Sequence, residues 1–509
     1  MRGAIAAGHR LTAEAGARLL AEGGNAVDAC LAAALVSWVA ESPLTGPGGG
    51  GFLLVHDADD RRPRLLDFFV TVPGEGLSRG SVGEMDTVDV DFGDTIQAFR
   101  IGAASVAVPG TVAGLDVAHR RFGSVPWRKL FEPAIELARS GFELTQEQAY
   151  LHAILDIILR HTDEGRVIYG PAGEPLVAGD RFVISDLADT FEALAEGGAA
   201  AFYTGAIGDA VSRHVRDHGG TLTREDLTAY RPVWRRPIRA EFAQHEVVSN
   251  PPPSSGGVLI AYGLRLLDRA GLGGPTGSAD AIARLVEVMG EQNAARGGGF
   301  QRELFRGGLA QRLCDEERVS AAAGRLLTGT THISAVDARG NAAALTASTG
   351  SGSGVVVPGT GIHLNNMLGE FDLIPAGARR RPGGRLTSGM APSIALHDGT
   401  PRLVVGSAGS LRLRGAILQI IVNAIGHGLA LEDAIDAPRV HVDDGHVHLE
   451  GGTDPAAVDE LQRRGYDVVR WRRRNLYFGG AAAVGLLPDG TLHAAGDGRR
   501  GGHGIVVGA

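Results

Sequence analysis

Gly329-Thr330-Thr331-His332-Ile333-Ser334-Ala335-Val336-Asp337 is the stretch on which the fold and the chemistry turn. From His332 onward polar and apolar residues alternate, the pattern of a half-buried strand. Asp337-Ala338-Arg339-Gly340-Asn341 has the composition of a turn, and Ala342 to Ser348 reads as a second strand. A hairpin centred on Arg339 sets Thr331 against Ala347 and Thr330 against Ser348. Directly opposed residues of an antiparallel pair have Cβ atoms about 4.5–5.5 Å apart, so two hydroxyls are expected to meet at the open end. A slip of one residue would bring Thr349 or Ala347 there instead.

Outward from this hairpin, helical patterns alternate with short β-rich runs, which makes the chain mixed α and β. Thr12 to Glu22 reads as a helix closed by Gly23-Gly24-Asn25, and Ala26 to Val39 as an apolar, buried helix. Gly46-Pro47-Gly48-Gly49-Gly50-Gly51 precedes a strand at Phe52 to His56. A nucleotide cradle has the opposite order, strand then glycines then helix, so this run is read as a close backbone crossing. Helical pattern dominates from Gly141 to Gly219. Pro251 to Gly257 is a rigid turn into a helix starting near Val258. Arg296 to Thr328, rich in Gly, Ala and Arg, is the best candidate for a cleavable segment.

With 509 residues, 44% of them hydrophobic, the chain can bury a substantial core. A net charge of −9 excludes a basic nucleic-acid groove. No apolar run approaches the roughly 18 residues of a membrane helix, and no signal peptide pattern opens the chain; both point to a cytoplasmic protein. Cys30 and Cys314 are read as two buried thiols rather than a disulfide framework. His446 and His448 share a strand face near His441, Asp443 and Asp444, but no full ligand set accompanies them, and they are read as a solvated hairpin end. Glu287, Glu291 and Gln292 are read as a polar helix face. Ser254-Ser255-Gly256 lacks the Gly-x-Ser-x-Gly spacing of a nucleophile elbow and is read as a turn.

A threonine hydroxyl is a poor nucleophile at neutral pH, and a free amine on the same residue can serve as its base. For Thr330 that requires a cut after Gly329. Thr330 Oγ could attack the Gly329 carbonyl, giving an ester that water opens. Gly329 has no side chain to block the approach. Pattern alone leaves a second reading open, since Thr-Thr at a strand start also reflects β-propensity.

The chain resembles the gamma-glutamyltranspeptidase family nearly end to end. The matching motifs are Glu22-Gly23-Gly24-Asn25-Ala26-Val27-Asp28-Ala29, Gly48 to Phe52, Val108-Pro109-Gly110-Thr111-Val112-Ala113-Gly114 and Pro252 to Gly257. Thr330-Thr331-His332, Gly361 to Asn366 and Ala437-Pro438-Arg439 continue the series. The resemblance implies an α+β, four-layer αββα N-terminal-nucleophile sandwich. It implies a zymogen that cleaves itself into a large chain, 1–329, and a small chain, 330–509, which together form one compact domain. Thr330 then stands at the nucleophile and Ser348 at a supporting threonine. Gly409 and Ser410 supply oxyanion N–H groups, with Ser410 replacing a glycine. No cofactor or metal is implied.

The glutamyl-binding positions depart from the family. Its aspartate is Glu370, its glutamine or glutamate is Met367, its paired serine is Ser388-Gly389, and an asparagine is Gly350. The carboxylate-clamping arginine belongs with an Asp-Phe-Arg-Glu stretch that is Asp67-Phe68-Phe69-Val70 here, leaving Arg79 approximately placed. An Arg–carboxylate clamp is strong and often bidentate, so its loss favours another acyl group. Three functions follow: a hydrolase or acyltransferase acting on a gamma-glutamyl-like amide, a relative cleaving another amide or a C–C bond, or a non-catalytic homologue that binds a small ligand. The partners expected are a small acyl donor, a water or amine acceptor and the two chains of one precursor, with a homo-oligomer allowed.

Overall fold

The computed structural model describes residues 3–508 except 78–82, 93–95, 297–299, 307–308, 310–312, 314–329, 371–372, 374–380, 410 and 444. Two large sheets organise the chain. Their strands are β1 (Gly3–Ala7), β2 (Gly50–His56), β3 (Arg64–Phe68), β4 (Val233–Arg235), β5 (Ile238–Phe242), β6 (His245–Ser249), β7 (Thr331–Asp337) and β8 (Ala342–Ser348). They continue with β9 (Ser393–His397), β10 (Thr400–Ala408), β11 (Gly480–Leu486), β12 (Leu492–Gly496) and β13 (His503–Val507). The seven-stranded sheet runs β13-β1-β7-β8-β2-β3-β4 and the six-stranded sheet β12-β11-β10-β9-β6-β5.

Alternation decides which side chains lie between the sheets. Ile333, Ala335, Leu345, Ala347, Leu53 and Val55 join one core with helices α1 (Arg10–Ala21), α2 (Ala26–Ala40), α3 (Thr111–Phe122) and α4 (Trp127–Ser140). Val336, Ala342, Ala344, Phe52 and Leu54 point the other way and pack with Val405, Ala481 and Ala483 of the second sheet. That sheet is covered in turn by Ile260 and Leu264 of α5 (Gly256–Ala270), by Val288 of α6 (Ala279–Ala295), and by Leu413 and Ile417 of α7 (Leu411–Ile421). The order helix, sheet, sheet, helix is the expected αββα sandwich.

Helix α2 has no polar face because it has no wet face: all fifteen of its residues are buried. Its start is fixed locally by a capping box in which Asn25 and Asp28 satisfy each other's backbone N–H groups. The hairpin register is the expected one, with Thr331 opposite Ala347 and Val336 opposite Ala342. Strand β7 pairs with β1 on its other side, and β8 pairs with β2. The seven-stranded sheet interleaves strands from before and after Thr330, and the six-stranded sheet pairs β9 from after it with β6 from before it.

The glycine run is a close crossing, as expected. A Cβ on Gly49 would stand 2.3 Å from Ser348 O, and one on Gly51 2.2 Å from Thr346 O. The turn at Pro251 leads into α5 two residues earlier than expected, at Gly256. Most of the expected cleavable segment lies outside the described residues, as do Cys314 and Asp444. Cys30 is a buried free thiol.

Two expectations are corrected. Gln292 is not on a wet face: it is fully buried, and its Nε2 donates to Leu259 O at 2.7 Å, tying α6 to α5. Glu287, which does face solvent, pairs with Arg284 at 3.1 Å. His441 and His448 are not a solvated hairpin end either. They oppose each other in a small sheet and pack against Tyr477 and Trp471, and burial holds His441 well below the usual imidazole range. Of the three histidines, it is His446 that faces water, where it meets Asp467 at 2.9 Å.

Candidate active site

Thr330 precedes β7 by one residue and is 2% exposed. The register carries it to the open end of the β7–β8 ladder, beside Ser348, which is 1% exposed. Ser348 Oγ accepts the N–H of Gly350 at 2.8 Å, and Ser348 pairs with Gly50 across β2. The sequence-derived proximity of the two hydroxyl residues thus rests on an observed register.

The second sheet delivers a backbone turn to the same end. A Cβ on Gly406 of β10 would stand 2.3 Å from the His332 ring, so β10 crosses β7 directly there. Three residues on, the strand ends and Gly409 turns at φ +113° into α7. A side chain at Gly409 would press on Gly479, with a Cβ–Cα separation of 2.8 Å. The Gly479 turn is braced in its turn: Arg439 donates to Phe478 O at 3.1 Å and pairs with the buried Asp497 at 2.6 Å. Here the Ala437-Pro438-Arg439 motif has its role. Backbone N–H groups between a strand and a helix N-terminus suit a developing oxyanion. Ser410, Gly329 and Arg79 lie outside the described residues.

His332 is structural. Its Nε2 lies 2.9 Å from Ser334 Oγ and its Nδ1 2.7 Å from Thr346 Oγ1. Ser334 Oγ donates to Ala482 O at 3.1 Å, so Nε2 carries the ring proton and Nδ1 accepts. Burial lowers its pKa to about 3, and the neutral ring ties β7 to β8 and orients the Ser334 hydroxyl that reaches Ala482 of the second sheet.

The expected substrate-binding residues divide into two groups. Gly350, at φ +76°, lies against Asn366 and Glu370, and a Cβ there would meet Asn366 Oδ1 at 2.1 Å. Asn366 Oδ1 accepts Ser351 N–H at 3.0 Å, and Glu370 Oε1 accepts from Ser351 Oγ at 3.4 Å. The absent side chain at Gly350 therefore leaves space that Asn366 and Glu370 occupy. Met367 does not join this polar group: it is 2% exposed, in an apolar cluster with Phe69, Val70 and Leu386. Phe69 stacks on Phe52 with centroids 5.5 Å apart. Asp67 is engaged by Arg235 at 2.6 Å and, more distantly, by Arg385. Ser388 O accepts from Ser255 N at 2.8 Å and Ser254 Oγ at 3.0 Å, so the Ser254–Ser255 turn holds the Ser388–Gly389 loop.

Sequence reading missed Glu41 and Arg500, which line a cavity with Thr330, and Thr12, which bonds to Glu41. Thr331 Oγ1 donates to Glu41 Oε2 at 2.5 Å, Thr12 Oγ1 donates to Glu41 Oε1 at 2.8 Å, and Arg500 lines the same cavity as Glu41 and Thr330. A carboxylate directly after fifteen buried residues was the available signal for Glu41. Among the described residues, no three His, Cys, Asp or Glu are grouped to hold a metal, and no helix is long and apolar enough to cross a membrane.

A two-sheet sandwich with a threonine at the head of a central strand, facing a strand-to-helix turn, defines the N-terminal-nucleophile class of hydrolases. A family model described as gamma-glutamyltranspeptidase matches residues 12–507, and the chain belongs to that family. It is similar to the acylase ACY 1 proenzyme of Pseudomonas sp. (strain SE83), 34% identical over 519 aligned residues that cover 97% of this chain and 91% of that protein. The glutathione hydrolase proenzyme of Escherichia coli (strain K12) is 31% identical over 539 residues, covering 98% of this chain and 90% of that protein. The crystal structure of cephalosporin acylase from Bacillus halodurans matches with a TM-score of 0.83 at 25% identity, covering 99% of this chain and 95% of that one. The protein is a threonine N-terminal-nucleophile hydrolase or acyltransferase of this family.

Proposed function

We propose that the protein is a self-cleaving acylase in which Thr330 cuts the chain after Gly329 and then serves as nucleophile for a small acyl amide. The observation that carries the reading is the convergence of Thr330, Ser348 and the Gly409 turn at one end of the two sheets. In the first step Thr330 Oγ bonds to the Gly329 carbonyl carbon, the peptide C–N bond breaks and the Oγ proton passes to nitrogen. Water then opens the ester, leaving chains 1–329 and 330–509. Strand pairings such as Ile5 with Ala335 and Ser348 with Gly50 hold the two chains together after the cut.

In turnover the freed amine of Thr330 takes the Oγ proton as the acyl–oxygen bond forms. The backbone N–H groups of Gly409 and Ser410 receive the oxyanion, where one such donor is worth about 3 kcal/mol. The proton passes to the leaving nitrogen, and water or an amine releases the acyl group. Ser348 orients Thr330. The acyl group lacks a free α-amino acid head, because Met367 and Phe69 are packed into an apolar cluster and offer it no charge. Relatives named as an acylase and a cephalosporin acylase support an acylase reading.

On a denaturing gel the purified protein should give two bands, and Thr330→Ala one band with no turnover. A single full-length wild-type band without an acyl adduct would sink the proposal. A panel of acyl p-nitroanilides should be hydrolysed in preference to gamma-glutamyl-p-nitroanilide; strong selectivity for the glutamyl compound would overturn the acyl assignment.

A further inference from the structure

Behind the nucleophile lies a cavity of about 70 Å³, bordered by Gly8, Glu41, Thr330, Thr331, Ala408 and Arg500 among others. A cavity that size has room for a few water molecules. Glu41 terminates α2 as its C-cap residue and is 6% exposed. A carboxylate at the end of a buried helix, where the dipole is negative, sits in an unfavourable place for a charge. It is kept there by specific contacts. Both carboxylate oxygens accept hydroxyls, from Thr331 at 2.5 Å and Thr12 at 2.8 Å. Gly8, in the connection between β1 and α1, supplies the space, since a Cβ there would lie 2.4 Å from Glu41 Oε2.

The hydroxyl of Thr331 belongs to the residue whose backbone is bonded directly to Thr330. Arg500 lines the same cavity, and its Nη2 stands 3.7 Å from the Cβ position of Gly409. The cavity thus joins a buried carboxylate to the nucleophile, and Arg500 links it to the proposed oxyanion turn.

We propose that Glu41 is the positioning counter-charge for the Thr330 amine, acting through the Thr331 hydroxyl and across the cavity. The inference rests on Thr330 being the cleaved N-terminal nucleophile. When the amine takes the Oγ proton it becomes an ammonium, and a carboxylate held at fixed distance stabilises that charge as the acyl–oxygen bond forms. The proton then leaves with the departing nitrogen, and Glu41 gains and loses nothing. Arg500 limits the field of Glu41 on one side and faces the oxyanion turn on the other.

The other ionisable groups around this cavity are His9, which follows β1, Glu147, Tyr150 and His152 of the helix Gln146–Ile154, and Asp497 and Arg499 of the C-terminal turn. Burial lowers both histidines to about 4, so neither changes charge where an amine titrates. Asp497 and Arg499 are paired at 3.1 Å. Burial holds the Glu41 carboxyl above the usual carboxylate range, and the hydroxyls of Thr331 and Thr12 and the charge of Arg500 offset only part of that rise.

The test compares processed wild type with Glu41→Gln, Thr331→Val and Thr331→Ser, using whichever acyl p-nitroanilide the wild type hydrolyses fastest. Removing an opposite charge near the amine lowers its pKa, so the acid limb of kcat/KM should move down by about 1 pH unit in Glu41→Gln. The plateau kcat should fall by about tenfold with KM little changed, the signature of a contact that matters in the transition state. Thr331→Val should shift the limb the same way and Thr331→Ser should restore it. Should Glu41→Gln fail to fold, Thr331→Val against Thr331→Ser decides alone. Acid limbs superimposable on wild type would overturn the inference, whatever the loss of rate. Turnover surviving in Thr330→Ala would instead sink the reading beneath it.

Discussion

The two ends of the β7–β8 hairpin are built on opposite plans. At the turn, Asp337 accepts from Arg339 N at 2.9 Å, Asn341 N at 3.1 Å and Asn341 Nδ2 at 2.8 Å, all within five residues of chain. It also accepts Ala26 N–H at 3.1 Å, which anchors the start of α2. At the open end, Thr331 finds its partner 290 residues away, at the other end of that same helix. One end closes three of the four hydrogen bonds to Asp337 locally, and the other is completed by distant chain. The closed end supplies register and stability. The open end gathers hydroxyls, a carboxylate and a cavity, which is what a reactive site needs.

That contrast can be broken by substitution. Asp337→Ala removes four hydrogen bonds from a buried carboxylate, each worth more than a neutral one. Stability should fall by about 3–4 kcal/mol, read as a lowered urea midpoint, while the protein that remains folded still processes. If cleavage fails in fully folded Asp337→Ala, the two ends are not separable. Ser348→Ala is the opposite case. Processing and turnover should slow by about tenfold on a gel time course, with stability lowered by no more than about 1 kcal/mol. Ser348→Thr should recover the rate. An unchanged rate in Ser348→Ala would remove this residue from the site.

The smallest effect sharpens the comparison through pH. The folded pKa of His332 is about 3, below the ordinary value of about 6.5. Between these values the unfolded chain binds a proton that the folded one does not. The contribution of His332 is therefore complete above the ordinary value and is lost as pH falls toward 3, by up to about 1.4 kcal/mol per pH unit. His332→Gln, which keeps a donor and an acceptor, should lower the slope of stability against pH by one proton in that window. An identical slope would show that His332 is not held neutral by its burial in the folded protein.

Much of the hairpin is legible in the residues themselves. Alternation from His332 and turn residues after Asp337 point to the register that sets Thr330 beside Ser348, and the observed pairing of Thr331 with Ala347 removes the one-residue slips the sequence left open. The oxyanion turn and the substrate positions are reached by family resemblance, not by pattern. Their packing escapes both routes. Met367 reads as a lost hydrogen-bonding group, yet its side chain has joined the apolar cluster of Phe69. Gly350 reads as a lost asparagine, yet its bare Cα is what allows Asn366 and Glu370 to close in. His441 and His448 read as a wet hairpin end because strand alternation does not reveal a Trp471–Tyr477 stack arriving from later chain.

By itself, the sequence determined the period of each strand, the cap of α2, the turn at Asp337 and thus the position of Thr330 at a ladder end. These depend on residues within a few places of one another, where side-chain alternation and backbone hydrogen bonding act directly. Tertiary structure alone decided what surrounds that threonine. Gly406 admits the His332 ring, Gly479 seats the Gly409 turn, and Glu41 meets Thr331. Each of these contacts depends on the separation of two packed layers, a distance that no local periodicity encodes.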